Sequence, residues 1–192
     1  MSATRMGGVN ATAAHYARFS ASLVSGVIGS MVGAIAMLLV MIVAFVAFAH
    51  TSAFYPLQIF GSYLFGDAAL RSPTLLVLLG GLTFHLGTAA AWGIGFGFTA
   101  AVLRVDRSVG GSILLGLVVG LTAQLVEVNL ITPALMRPWG HDVWAANVPP
   151  LLSWVSHVVF GLGFAVTPFL FRDLWLRWSG RADLTVDDPR IR

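Results

Sequence analysis

The chain has 192 residues, 57% of them hydrophobic and 10% charged, with a mean hydropathy of +0.86, which leaves too little polar surface to cover a water-soluble globule. Its net charge of +3 comes from eleven arginines without a lysine. Most of them flank apolar runs instead of forming an aromatic-interleaved patch, which excludes a nucleic-acid interface. Cysteine is absent, which excludes disulfides, thiolate metal sites and thiol catalysis.

The first apolar run, residues 22–49, is long enough to cross a bilayer as a helix. Ala47-Phe48-Ala49 fits an A-x-A cleavage pattern behind it, but the run is about twice the length of a signal-peptide core, so it reads as a retained span. Small residues form two ridges in its first half, Ser22, Gly26, Ser30 and Ala34 on one and Gly29 with Gly33 on the other. The second half, from Met37 to Phe48, is bulky, which fits either a bundle tight at the cytoplasmic end and looser outside or a set of large residues that simply face lipid.

Residues 50–72 follow as a loop whose segment from Phe54 to Phe65 is too short to span and too apolar to stay in water, and so reads as an interfacial helix. The second span, 73–103, carries Gly81, His85, Ala89, Gly93 and Gly97 at four-residue steps. After a short turn with Arg104 and Arg107, the third span, 110–132, repeats the pattern with Ser112, Gly116, Gly120 and Gln124, and Glu127 lies three residues further on. A second loop, 134–149, holds Arg137, Trp139, His141, Asp142 and Trp144, and its tryptophans suit a headgroup region. The fourth span, 150–171, carries Ser153, His157, Gly161 and Ala165. Its Gly161-Leu162-Gly163-Phe164 echoes Gly95-Phe96-Gly97-Phe98 and suggests a duplicated helical hairpin. Residues 179–192 are polar, mix both charge signs and read as a short disordered tail on a single domain, 1–178.

The expected fold is therefore an all-α polytopic membrane protein with four transmembrane helices. Nine arginines (Arg5, Arg18, Arg104, Arg107, Arg172, Arg177, Arg181, Arg190 and Arg192) fall on one side against Arg71 and Arg137 on the other. The positive-inside rule makes the nine cytoplasmic and places both termini there, in a multi-pass protein of a bacterial inner membrane.

Membrane helices approach closely through small residues, and ionisable groups inside them face the bundle interior. His85, Glu127 and His157 each lie on or beside such a ridge, which predicts one intramembrane polar cluster with Gln124 and Asn129 as further donors. Counting back to Arg104, Arg107 and Arg172 at about 1.5 Å per residue puts the three at roughly 28, 30 and 22 Å, all in the outer half. Three chemistries fit such a set. A carboxylate and two imidazoles can pass a proton between them. They can ligate a divalent metal. Or His85 and His157 can be axial ligands of a b-type haem against Trp92, Phe84 and Phe160, although one of the two histidines then sits about a turn deeper. A hydrogen-bonded pair that only fixes helix register is the structural alternative. His50, His141 and Asp142 are outer-loop candidates for extending a proton path, and His15 reads as a solvated histidine. Gly93-x-Gly95-x-Gly97 lacks the strand and helix start of a nucleotide site.

From about Gly81 to Trp175 the chain resembles the YagU-like family of small bacterial inner-membrane proteins. The likeness lies in Thr83 and His85 of the second span, the run Gly116-Leu117 to Ala123-Gln124-Leu125, the Pro and Trp loop, and Ser156-His157. Glu127 is not among the matched residues. The resemblance implies a four-helix inner-membrane protein linked to acid resistance, with no established reaction. Together these readings predict an accessory or stress-related membrane protein whose cluster senses or buffers protons without a cofactor, and more a binding component than a catalyst. The alternative is a haem- or metal-binding subunit. The expected partners are the lipid bilayer and either a second copy of the chain or a larger membrane complex.

Overall fold

The structure is a computed structural model that describes residues 3–140 and 143–179, with side chains from residue 12 onward. It is all-helical among the described residues. Helix α1 (Ala3–Phe48) is followed by the short α2 (Tyr55–Phe65) and α3 (Ala68–Arg71), and then by α4 (Leu75–Leu103). Helix α5 (Val109–Val126) continues through a π turn, Glu127–Ile131, into α6 (Thr132–Met136). The small α7 (Val143–Asn147) leads to α8 (Pro150–Leu162), which a 3-10 segment, Gly163–Val166, joins to α9 (Thr167–Trp178). Four helical stretches are long and apolar enough to cross a membrane: Thr12–Phe48, Leu75–Leu103, Val109–Trp139 and Pro150–Trp178. The last two run past the expected ends at 132 and 171. The expected tail lies, beyond Ser179, outside the described residues.

The glycine ridges decide which helices pair. On α1, Ser22 meets Gly97, Gly26 meets Gly93, and Ala34 meets His85, so α1 and α4 run antiparallel in steps of four. Gly116, Gly120 and Gln124 of α5 pair in the same way with Gly161, His157 and Ser153 of α8. The second α1 ridge ties the two pairs together: Gly29 lies against Phe164 and Thr167, and Gly33 against Phe160 and Gly163. At these crossings a Cβ would enter the neighbouring backbone or a side chain packed on it, so only a glycine allows the approach.

The turn between α4 and α5 begins with Arg104 in the left-handed region, at φ 58°, and Ser108 then caps α5 through the Gly111 N–H. Despite this short connection α4 and α5 touch little. The space between them is filled from α8 and its extension, with Phe164 stacked on Phe96 at 4.0 Å between centroids. The fourth helix changes phase at Gly163–Val166, where three residues per turn replace 3.6 and Pro168 follows. Phe164 thereby takes the buried position that the four-step ridge assigned to Ala165, which is only partly buried.

Two expectations change. Residues 55–65 do form a helix, but α2 does not lie only at an interface: it packs against α4 through Leu57 and Gly61 on Gly81, with Ile59 and Phe60 in the core. Gln58 makes this burial tolerable by donating to the carbonyls of Ala69 and Leu70. The two Gly-x-Gly-Phe runs do not occupy equivalent environments: Gly95 has open space where Gly161 is packed on Gly116, and Phe98 is exposed where Phe164 is buried. In the second half of α1, Met37, Met41 and Phe45 are buried, whereas Leu39, Val43 and Phe48 are exposed. Beyond Gly33 the α1 and α8 surfaces part to leave an apolar groove of about 690 Å³ among Leu39, Val43, Phe48 and Leu151.

Candidate functional site

At the end of the bundle away from Arg104, α4 and the α5–π turn diverge around a cavity of about 40 Å³, room for about three water molecules. His85, Glu127 and His157 all line it, together with Phe60 from α2 and Trp144 from α7. The three residues singled out by sequence therefore converge, through the helix pairing described above.

Their bonding is unequal. Glu127 opens the π turn, a distortion that recurs at functional sites because the extra residue re-aims a side chain. One of its carboxylate oxygens accepts from the Trp92 indole N–H. The other lies 3.6 Å from His157 Nε2. His157 is 2% exposed, and its Nδ1 is 2.8 Å from the carbonyl oxygen of Ser153, one turn earlier in α8. A carbonyl only accepts, so Nδ1 carries a proton. A neutral imidazole would then present the Nε2 lone pair to a carboxylate oxygen, which repels. The facing atoms are compatible when one proton resides between them, on Nε2 or on the carboxyl group. Nε2 has no hydrogen-bond partner at normal distance among the described residues, so this buried nitrogen faces the cavity unsatisfied.

His85 stands apart from that pair. Its Nε2 donates to the carbonyl oxygen of Ala34 at 3.0 Å, and its ring stacks on Phe60 with centroids 4.3 Å apart. Gln124 accepts from Ser153 Oγ at 2.7 Å, and Trp144 Nε1 lies 3.2 Å from the same hydroxyl, so both hold the Ser153 turn whose carbonyl orients His157. Tyr63 and Thr132 close one wall with a 2.8 Å hydroxyl contact. Asn129 does not belong to the cluster: it is exposed and donates to Leu125 in its own helix. His50 is exposed beyond the end of α1, with φ 52°. His141 and Asp142 lie outside the described residues.

Sequence reasoning placed Trp92 beside a haem and overlooked it as the donor to Glu127, although it lies seven residues from His85 on the same face. It also missed Trp144, whose approach depends on a loop, and the buried ion pair at the other end between Arg18 and Asp106.

A b-type haem does not fit this arrangement. His85 has committed Nε2 to Ala34, and the cavity holds water-sized molecules, not a macrocycle. Among the described residues no three His, Asp or Glu side chains assemble as a ligand set for a metal ion. No family model, curated protein or solved structure matches the chain.

Proposed function

We propose that this is a multi-pass protein of a bacterial inner membrane in which Glu127 and His157 bind and release a proton, as a sensor or buffer of acid conditions. The carrying observation is the commitment of His157 Nδ1 to the Ser153 carbonyl, which leaves Nε2 and the Glu127 carboxylate complementary only with a shared proton. The cavity supplies space for water to carry the proton, and Trp92 supplies a built-in reporter on the carboxylate.

The test follows tryptophan fluorescence of the purified protein from about pH 4 to 8, where carboxylates and imidazoles titrate. A step is expected in the wild type and is expected to vanish in both Glu127→Gln and Trp92→Phe. Persistence of the step in Glu127→Gln refutes the proposal, since that substitution removes the charge at nearly constant volume.

The membrane placement rests on the four span-length helices and the arginine distribution. Because the chain has no cysteine, Ser108→Cys provides a single label in the α4–α5 turn. An impermeant thiol reagent is expected to reach it only after the membrane is opened, and labelling from outside intact cells would reverse the orientation.

A further inference from the structure

A second site lies at the arginine-rich end, far from the proton pair. There the start of α5 and the first turns of α9 enclose a pocket of about 180 Å³ with two arginines, Arg107 and Arg172, on its wall. The Arg107 guanidinium is held over two rings, 5.4 Å from the Trp175 centroid and 5.9 Å from that of Phe171, which fixes a side chain that would otherwise sample many rotamers. Among the described residues neither arginine is within ion-pair distance of a carboxylate. Asp106, beside Arg107 in sequence, is engaged by Arg18, and Asp173, beside Arg172, is engaged by Arg177. Among the described residues the pocket thus concentrates two positive charges with no carboxylate within ion-pair distance, Asp106 acting on Arg107 only at longer range.

Its remaining wall separates a lipid from a soluble anion. Val109 and Phe169 line the pocket and are 41% and 60% exposed, so an apolar surface begins where the charged one ends. A free phosphate uses only the arginines, whereas a phospholipid engages the arginines with its phosphate and these side chains with its acyl chains. With no described carboxylate on the wall to accept a headgroup amine, the charge balance favours an anionic lipid over a zwitterionic one.

We infer that Arg107 and Arg172 form a binding site for the phosphate of an anionic phospholipid, with phosphatidylglycerol as the simplest ligand. This inference shares the membrane placement above and is independent of Glu127 and His157. The experiment is a thermal-unfolding titration of the full-length protein in a non-ionic detergent with phosphatidylglycerol, phosphatidylcholine or inorganic phosphate. Phosphatidylglycerol is expected to raise the midpoint at concentrations where the other two do not. Arg172→Gln, at an exposed position that does not threaten the fold, is expected to weaken the apparent affinity about fivefold, and the double variant with Arg107→Gln further. Arg177→Gln, on the same helix but paired with Asp173, is expected to keep the wild-type response. Equal responses to the two lipids, an unchanged response in Arg172→Gln, or inorganic phosphate matching phosphatidylglycerol would each overturn the assignment. A lost lipid response alongside an intact tryptophan titration would refute this site and leave the proton pair standing.

Discussion

Alanine at Gly161 is expected to cost about 3 kcal/mol of stability, while alanine at Gly95 of α4 costs nothing. The new methyl group at Gly161 would press on the carbonyl of Gly116 and the Cα of Leu117, both backbone and both held in α5, so no side-chain rotation can relieve it. At Gly95 no atom lies within 4 Å of the added carbon. There the substitution gains helix propensity and stabilises by up to about 1 kcal/mol. Denaturation midpoints of the two variants in one detergent measure the difference. Equal midpoints would mean that α5 and α8 do not meet along the glycine ridge.

Arg18→Ala is the second large effect, with an expected loss of about 3 kcal/mol. Asp106 is fully buried in the α4–α5 turn, and Arg18 Nη2 lies 3.6 Å from its Oδ1. The same guanidinium reaches the Ala101 carbonyl at 3.4 Å. Removing the arginine strands a carboxylate away from water. Asp106→Asn in the Arg18→Ala background is therefore expected to recover most of the loss, which simple loss of packing by Arg18 would not permit.

The pH dependence has a defined sign. Burial pushes the Asp106 carboxyl above its ordinary range, and Arg18 pulls it back only in part. The folded state thus holds this proton more tightly than the unfolded chain does. Its contribution to stability is full below the ordinary value of 3.8 and is lost as pH rises through the folded value. Asp106→Asn alone should gain on the wild type as pH rises from about 4 toward neutrality, and a gap that narrowed instead would refute the assignment.

The ridges made much of this architecture readable. Small residues every four positions identified the buried faces of α4, α5 and α8, and Glu127, His85 and His157 could be placed in the same outer half, within about two turns of one another, by counting to the flanking arginines. Helix pairing was not readable, because Gly93 and Gly120 offer the same flat surface to any partner; the choice depends on which backbones fit once all are present. The π turn at Glu127 left no periodic trace in five residues, yet it changes which face Thr132 and Met136 present. Nothing in the short turn between Arg104 and Arg107 marks Asp106 as buried. Its burial is imposed by Arg18 from a helix more than eighty residues earlier.

The pairing of α1 with α4, and of α5 with α8, has a consequence for the order in which the molecule assembles during synthesis. Helix α1 emerges with both glycine faces vacant, and one of them is filled as soon as α4 appears. Helix α5 then emerges beside an α4 that it hardly touches, and its Gly116 and Gly120 surface stays unmatched until α8 arrives. The α4–α5 hairpin, although it has the shortest connection, is therefore not a unit of assembly. The C-terminal helix acts as the keystone, since it covers α5 and fills the second face of α1 in one step. The Glu127–His157 pair comes into being only at that moment, so the chemistry of the cavity is the last feature of the chain to form.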